Sequence, residues 1–186
     1  SLENAVIATE DRTFYENSGV NVKRFLLAIV SMGHFGGGST ITQQLAKNAF
    51  LTQEQTVTRK AKEFFLSLEL TKKYSKQEIL TMYLNNAYFG NGVWGVEDAS
   101  QKYFGTSAAN LTVDEAATLA GMLKGPEIYN PIDNIKNATN RRNTVLANMV
   151  DDKKLSQADA DSAAGVDMAS RLDDTYQGTG DDYKYP

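Results

Sequence analysis

Signals for helix starts recur along this chain, and they constrain its fold more than any other feature. The pattern of a capping box, Ser or Thr three positions before Glu or Gln, stands at the start of four predicted helices, at 40–43, 52–55, 75–78 and 112–115. The last two stand directly before runs in which apolar residues recur at helical spacing. No segment alternates apolar and polar residues over more than a short strand. The sequence therefore predicts a mainly α fold.

Helices are expected through most of the chain. They are predicted near residues 2–11, 22–34, 41–50, 55–73, 93–103, 137–150 and 157–164, with two more opened by Ser75 and Thr112. The Thr112 helix is expected to stop at Lys124-Gly125-Pro126.

The length of 186 residues suits one domain with a single substantial core, which we place at residues 1–170. Residues 171–186 are polar and rich in Asp and Gly, so we interpret them as a linker-like tail. The longest apolar run, residues 25–30, is far shorter than the ~18 residues needed to span a bilayer. Because the chain starts abruptly and shows no signal peptide, we expect an excised domain whose N-terminal membrane anchor is absent.

Composition narrows the possible chemistry. Hydrophobic residues make up 41% and charged residues 23%, as in a folded globular protein. A net charge of -4 gives no basic field for nucleic acid, and we exclude that partner. There is no cysteine and a single histidine, His34, so thiolate sites, multi-histidine metal sites and a serine–histidine triad are excluded or hard to build. The chemistry must rest mainly on carboxylates, amides, hydroxyls, Lys and Arg.

A glycine-rich segment followed by a hydroxyl-capped helix, residues 36–48, has the form of an anion site. Free backbone N–H groups and the helix dipole favour phosphate at such a helix start. The polar residues that could take part are Ser39, Thr40, Gln43, Gln44, Lys47 and Asn48. The order of residues differs from a P-loop, so a nucleotide site is not expected. The alternative is a plain capped helix beside a flexible loop.

The predicted helix over 55–73 is apolar on two sides. Residues 57, 61, 64 and 68 share one stripe, whereas residues 66 and 70 lie opposite, with Arg59 and Glu63 on that second side. A carboxylate on a buried side is costly unless it has partners. Glu63 is therefore either a functional acid beside Arg59 and Lys60, or half of an exposed i,i+4 ion pair of little energetic value.

Two adjacent acids, Glu10 and Asp11, end the first predicted helix. Such pairs are usually solvated or capping residues, but a catalytic role for one of them remains an alternative. Adjacent helical residues point about 100° apart, so the two acids are not expected to share one task. In the segment 83–86, a buried Asn is interpreted as a structural tie between helices.

Five motifs together resemble a known family. They lie at Glu10, Asp11, Phe14 and Gly19; at residues 37–48; at Arg59, Lys60 and Glu63; at residues 79–85; and at residues 141–149. In this order they resemble the motifs of the peptidoglycan glycosyltransferases, glycosyltransferase family 51. That family occurs as monofunctional enzymes and as the N-terminal catalytic domain of class A penicillin-binding proteins. The resemblance is greatest to Gram-positive, streptococcal-type proteins.

The resemblance implies a lysozyme-like, two-lobed fold with a larger globular lobe and a smaller membrane-facing lobe. It implies lipid II and the growing glycan strand as substrates, with an inverting transfer that releases undecaprenyl pyrophosphate. Glu10 would be the general base and Glu63 a second catalytic acid. The substrate-binding residues would be Asp11, Ser39, Thr40, Gln43, Gln44, Lys47, Asn48, Arg59 and Lys60. No cofactor is obligatory, although Mg or Mn near the pyrophosphate is a possibility.

The resemblance also implies partners and a location. They are the outer face of the cell membrane, a C-terminal transpeptidase domain in the full protein, and moenomycin-type inhibitors. The apolar segment 25–30 would then meet lipid, its alternative being a core helix. Asn17 departs from the family, which usually has His there, so this position cannot carry a proton. Two other functions stay open, namely a lysozyme-like hydrolase or lytic transglycosylase, and a non-catalytic lipid-binding scaffold.

Overall fold

A computed structural model describes residues 1–30, 38–52, 54 and 56–173. The helices are α1 (Leu2–Glu10), α2 (Val22–Val30), α3 (Ile41–Phe50), α4 (Val57–Lys73), α5 (Lys76–Asn86), α6 (Val96–Phe104), α7 (Val113–Met122), α8 (Pro126–Tyr129), α9 (Ile135–Asp151) and α10 (Gln157–Ala164). Short 3-10 helices cover Ala108–Asn110 and Met168–Arg171. Within the described ranges, β pairing is limited to one bridge between Tyr88 and Trp94. The predicted mainly α fold is confirmed, and it is consistent with the lysozyme-like domain that the resemblance implies.

Most of the predicted helix starts are confirmed by their caps. Thr40 and Thr112 form complete capping boxes with Gln43 and Glu115, and Ser75 Oγ accepts a hydrogen bond from the Glu78 N–H. The predicted start at Thr52 is wrong.

The cap of α4 is Thr56, whose hydroxyl accepts from the Arg59 N–H at 3.1 Å. A start at this point lets Arg59 Nε donate back to the Glu54 carbonyl at 2.8 Å. The cap of α4 is therefore Thr56 rather than the predicted Thr52, because Thr56 offers an equivalent capping hydroxyl one turn later in the chain.

Other boundaries shift by a few residues. The helix predicted over 93–103 begins at Val96, because Gly95 has a φ of 84° that no helix accommodates. The helix predicted over 22–34 is seen as Val22–Val30, and residues 31–34 lie outside the described ranges. Helix α8 and the two 3-10 helices have no counterpart among the predictions.

The chain divides into two compact units. One comprises Val6–Ala87, and its helix α3 packs against both α4 and α5. The core of this unit is formed by fully buried aliphatic and aromatic side chains: Phe14, Ile41, Leu45, Ala46, Ile79 and Leu80. The predicted catalytic and substrate-binding residues all lie in this unit.

The other unit comprises Ser1–Ala5 and Tyr88–Pro186, and its helix α7 packs along α9. Arg142 on α9 is buried and donates to the carbonyls of Ala164 and Val166 at 2.9 and 2.8 Å, which fastens the end of α10. Arg171 donates to Asp114 Oδ2 at 3.0 Å. Arg171 is the first residue of the expected tail, and residues 174–186 of that tail lie outside the described ranges.

Helix α4 does not bury the apolar stripe that the sequence predicted. Its buried residues are Arg59, Glu63, Ser67 and Leu70, whereas Val57 is 76% exposed. Ala61, Phe64 and Leu68 of the stripe are half-buried, so the stripe is covered only in part. The charged side of the helix is buried because its charges find partners there.

Helix α2 likewise leaves apolar side chains in solvent. Val22, Leu26, Leu27 and Val30 are each more than half exposed, and Phe25 stacks on Phe64 of α4 with 4.5 Å between ring centroids. Within the segment 25–30, the alternative of a plain core helix is therefore wrong for Leu26, Leu27 and Val30. In the ranges searched, no helix has both the length and the apolar character to cross a bilayer.

Candidate active site

Glu10 is the last residue of α1 and is half-buried. Gln44 Nε2, one turn into α3, donates to Glu10 Oε2 at 3.3 Å. The other end of the same amide, Gln44 Oε1, accepts from the Tyr83 hydroxyl at 3.0 Å. Helices α3 and α5 together therefore hold the end of the Glu10 side chain.

The Tyr83 hydroxyl remains a hydrogen-bond donor to Gln44 Oε1 over a wide pH range. Burial, and then the negative charge of Glu10, raise the pKa of its hydroxyl well above the ordinary value. The hydroxyl stays protonated at neutral pH and can keep donating to Gln44. Because the Gln44 amide oxygen accepts this hydrogen bond, the amide nitrogen of Gln44 points toward Glu10.

Asp11 makes different contacts from Glu10. It is 4% exposed, and its Oδ2 accepts from the Ile41 N–H, the first free donor of α3, at 3.2 Å. Asn17 Nδ2 donates to both carboxylate oxygens, at 3.1 and 3.2 Å. Burial raises the pKa of Asp11, although these donors and the nearby Lys76 act against the shift. Asp11 is thus a structural anchor for the start of α3.

Gly19 allows the loop after α1 to approach two helices closely. It has a φ of 96°, and a Cβ there would collide with Thr71 Oγ1 and lie 2.5 Å from the Ser67 carbonyl oxygen. The Gly19 carbonyl accepts from Thr40 Oγ1 at 2.7 Å. The glycine of the first motif therefore connects α4 to the cap of α3.

The start of α3 is tightly bonded. Thr40 Oγ1 accepts from the Gln43 N–H at 3.1 Å, and Gln43 Oε1 accepts from the Thr40 N–H at 2.9 Å. Gln43 is 1% exposed, and its Nε2 finds no hydrogen-bond acceptor among the residues described. A buried donor without an acceptor is costly, so this amide is a group that an anionic ligand could satisfy.

Arg59, Lys60 and Glu63 form a buried ionic cluster. Arg59 Nη1 lies 2.5 Å from Glu63 Oε2, and Lys60 Nζ lies 2.7 Å from Glu63 Oε1, while the Glu63 side chain is 1% exposed. Lys60 Nζ also donates to Ser39 Oγ at 2.9 Å. The predicted Arg59–Glu63 pair is confirmed, but the alternative of an exposed pair is wrong.

Each oxygen of Glu63 is bonded to a cation, which fits a carboxylate that orients Arg59 and Lys60. A divalent cation bound by Glu63 would need one of these oxygens for itself, and the two basic groups beside Glu63 would repel it. Among the residues described, no three acidic or histidine side chains converge as metal ligands would. Mg or Mn bound at Glu63 does not fit these residues.

Lys47 and Asn48 lie further along α3. Lys47 is half-buried and, within the described part of the chain, makes no hydrogen bond or ion pair, so its ammonium is available to a ligand. Asn48 is exposed. Gly36 and Gly37 lie outside the described ranges, so the predicted glycine loop is represented by Gly38 alone.

Sequence reasoning missed two contributors to this site. Tyr83 lies in the segment 83–86, where the sequence predicts a buried Asn as a tie between helices. Asn85 and Asn86 are both exposed, so that prediction is wrong. The tie is the Tyr83 hydroxyl. Lys76 was also missed, although its Nζ donates to Asn17 Oδ1 at 3.0 Å. Both bonds join residues far apart along the chain, so no local pattern indicates them.

Residues 1–150 match the family model described as transglycosylase. The chain is 67% identical over 186 residues to penicillin-binding protein 2a of Streptococcus pneumoniae, covering all of this chain and 25% of that protein. It is 46% identical over 166 residues to penicillin-binding protein 1A of Vibrio cholerae, covering 87% of this chain and 20% of that protein.

A third relative is penicillin-binding protein 1F of Bacillus subtilis, 44% identical over 168 residues, covering 88% of this chain and 24% of that protein. The chain thus spans about a quarter or less of the length of these curated relatives. The family match covers all five motifs and every predicted site residue. The chain therefore belongs to the transglycosylase family, the peptidoglycan glycosyltransferases of glycosyltransferase family 51, and is similar to that domain of streptococcal class A penicillin-binding proteins.

Proposed function

We propose that this chain polymerises lipid II into β-1,4-linked glycan strands by an inverting transfer that releases undecaprenyl pyrophosphate. The single observation that carries the proposal is the hydrogen bond between Gln44 and Glu10. This bond joins Glu10, a carboxylate suited to act as a general base, to α3, a helix whose start is suited to bind phosphate. A glycosyl transfer from a pyrophosphate donor needs both features side by side.

Glu10 is the general base of the proposed reaction. Its carboxylate takes the proton of the acceptor 4-hydroxyl as that oxygen forms a bond to the anomeric carbon of the donor. The bond from this carbon to the pyrophosphate oxygen breaks, and the electron pair leaves with undecaprenyl pyrophosphate. Attack from the face opposite the leaving group turns the α-linked donor into a β bond. Gln44 supports this role because it holds Glu10 Oε2 in place.

The basic residues of α3 and α4 bind the pyrophosphate in this proposal. Lys47 offers an ammonium with no partner among the described residues, and Gln43 offers a buried amide donor without an acceptor. Arg59 and Lys60 add positive charge, and Glu63 orients both groups through its two short ion pairs. Charge fixed in advance stabilises the developing charge of a leaving group without reorganisation. Glu63 therefore acts through its neighbours rather than as a second base.

The exposed side chains of α2 support contact with a membrane. Leu26, Leu27 and Val30 present a contiguous apolar face, and such a face gains free energy when it enters the interfacial region of a bilayer. A lipid-linked substrate resides in that region. We therefore place the domain on the outer face of the cell membrane, with a transpeptidase domain and an N-terminal anchor in the full protein.

The main competitor is a lysozyme-like hydrolase or lytic transglycosylase, which also uses a helix-borne acid. Such enzymes cleave a neutral glycosidic bond and have no pyrophosphate to bind. The cations near Ser39 and Glu63 favour synthesis. The scaffold alternative is disfavoured because Glu10 is present and held by a hydrogen bond.

One assay tests the proposal. The chain is incubated with lipid II in detergent, and the products are separated into polymer and fragments. We expect polymer and released undecaprenyl pyrophosphate from the unaltered chain, and no polymer from Glu10→Gln, whose circular dichroism should match the parent. Cleavage of preformed glycan would indicate a hydrolase, and an unchanged rate in Glu10→Gln would refute the assignment of the base.

A further inference from the structure

A series of hydrogen bonds connects Lys76 with the start of α3. Lys76 Nζ and the Gly19 N–H both donate to Asn17 Oδ1, at 3.0 and 2.9 Å. At the other end of the amide, Nδ2 donates to the Asp11 carboxylate, whose Oδ2 accepts from the Ile41 N–H at 3.2 Å. The amide oxygen thus faces donors and the amide nitrogen faces an anion. This arrangement fixes the orientation of the Asn17 side chain.

Lys76 is held in this position by more than the amide. It is the first residue of α5 and is half-buried, and its Nζ lies 4.8 Å from the centroid of the Phe14 ring. Burial lowers the pKa of its ammonium, while the charge of Asp11 acts in the opposite direction. A half-buried lysine with these contacts is held against the unit rather than extended into solvent.

We propose that Lys76 is a positioning residue for glycosyl transfer, an inference that rests on the function proposed above. Its ammonium polarises the Asn17 amide and keeps Asp11 on the Ile41 N–H. The start of α3 is fixed as a result, and α3 carries Gln44 to Glu10. Lys76 acts through Asn17 and Asp11 rather than on the reacting sugars.

Asn17 is well suited to this arrangement, and a histidine is not. The amide oxygen has two lone pairs, which are taken by Lys76 and the Gly19 N–H. A neutral imidazole has one acceptor nitrogen, so it can accept from only one of them. An imidazolium has no acceptor and would repel the ammonium of Lys76. In this chain a lysine therefore supplies the positive charge that faces the amide oxygen of Asn17.

Among the described residues, the charged and polar groups that meet this network come from four helices and from the loop after α1, where Thr13 Oγ1 donates to Asp11 Oδ1 at 3.4 Å. Helix α5 brings Lys76, α3 brings the Ile41 N–H, and α1 brings Glu10, whose carboxylate is bonded by Gln44. Helix α4 meets the loop at Gly19 through Ser67 and Thr71, which carry no charge. Since Lys76 lowers the pKa of Asp11, removal of the ammonium should raise that pKa further.

The first test compares Lys76→Met with Lys76→Arg in the full chain, using lipid II polymerisation across the pH range. We expect Lys76→Met to lower kcat about tenfold with KM within about twofold, because the residue stabilises geometry rather than substrate binding. The acidic limb of its kcat profile should move to higher pH, and Lys76→Arg should restore most of the rate.

Lys73→Met is the matched control, since Lys73 Nζ also lies over an aromatic ring, 5.4 Å from the centroid of Tyr74. It should leave kcat and the pH profile unchanged. If Lys76→Met keeps both the rate and the profile of the parent, the proposal is wrong.

A second variant covers the case in which Lys76→Met does not fold. Asn17→His should gain an acidic limb near the ordinary pKa of histidine, about 6.5, because protonation creates repulsion with Lys76. A profile parallel to that of the parent would contradict the proposal.

A third measurement does not depend on activity, so it separates this inference from the proposed function. The NMR shift of the Ile41 amide proton should follow the titration of Asp11, with a midpoint at higher pH in Lys76→Met. An unmoved midpoint overturns the positioning role even if no polymer is formed by any variant.

Discussion

The amide of Gln44 donates to Glu10 Oε2 across 3.3 Å, and the orientation of that amide depends on a hydroxyl from another helix. Tyr83→Phe removes this hydroxyl and leaves a largely buried acceptor without its donor. We expect it to lower kcat several-fold and the free energy of unfolding by about 1 kcal/mol.

Gln44→Leu should have the larger effect on kcat, because it removes the donor to Glu10 itself. Steady-state kinetics and denaturant unfolding of both variants check this order. Equal kcat values for the parent and Gln44→Leu would contradict a role of Gln44 in holding the base.

Lys47→Ala should weaken binding of donors that carry a pyrophosphate. Its ammonium has no partner in the described part of the chain, so its removal should cost little stability. We expect KM for lipid II and Kd for a phosphate-bearing donor mimic of the moenomycin type to rise at least about tenfold. Lys62→Ala, an exposed lysine on α4, is the control. If both variants bind the mimic as tightly as the parent, the phosphate site must lie elsewhere.

Gly19→Ala should destabilise the fold strongly. The new Cβ would collide with Thr71 Oγ1 and the backbone of Ser67, and the φ of 96° adds strain. We expect a loss of at least about 2–3 kcal/mol of unfolding free energy, measured by denaturant titration. Gly92→Ala is the matched control, because Gly92 has a φ of 72° but nothing within 4 Å of a Cβ. It should cost only the backbone strain, about 1 kcal/mol. Equal losses in the two variants would show that the contact with α4 is unimportant.

Stability should fall at alkaline pH because of Tyr103. Burial raises the pKa of its hydroxyl from 10.0 to about 12, and the hydroxyl donates to the Phe89 carbonyl at 2.6 Å. Between these values the unfolded chain has lost the proton and the folded chain still holds it, so the unfolding free energy declines as pH rises. In Tyr103→Phe the unfolding free energy should decline less steeply between pH 10 and 12. Part of the decline should remain, because burial also raises the pKa of Tyr83.

The double variant Leu26→Gln/Leu27→Gln should bind lipid vesicles more weakly. Both side chains are more than half exposed on α2, so the change removes apolar surface without opening the core. Vesicle co-sedimentation should show at least about a tenfold loss of affinity at unchanged melting temperature. Ile128→Gln/Ile132→Gln removes exposed isoleucines from the other unit and serves as the control. Similar losses in both double variants would refute a specific membrane face on α2.

Local features of the fold were predictable from the sequence. Thr40 and Thr112 cap their helices as expected, because a capping box involves only four consecutive residues. The prediction of a helix start at Thr52 also used only four consecutive residues, and it is wrong. Thr56 offers an equivalent hydroxyl nearby, and the choice between the two caps depends on which acceptor Arg59 can reach.

Burial was less predictable than helix position. The spacing of Val57 and Phe64 indicated a second core face on α4, yet Val57 is 76% exposed while Glu63 is buried. Periodicity reports which residues share a face, but the partners available to that face decide whether it is buried. Arg59 and Lys60 neutralise Glu63, so the charged side can be enclosed.

The sequence by itself determined the mainly α fold, the motifs that indicate the family, and Glu10 as the leading acid. These follow from short-range spacing and from the identity of residues. Only the tertiary structure decided that Asp11 anchors α3, that Gln44 and Tyr83 hold Glu10, and that Lys76 meets Asn17. Hydrogen bonds act over about 3 Å in space, while these partners stand 30 or more positions apart along the chain, and nothing in local spacing encodes that proximity.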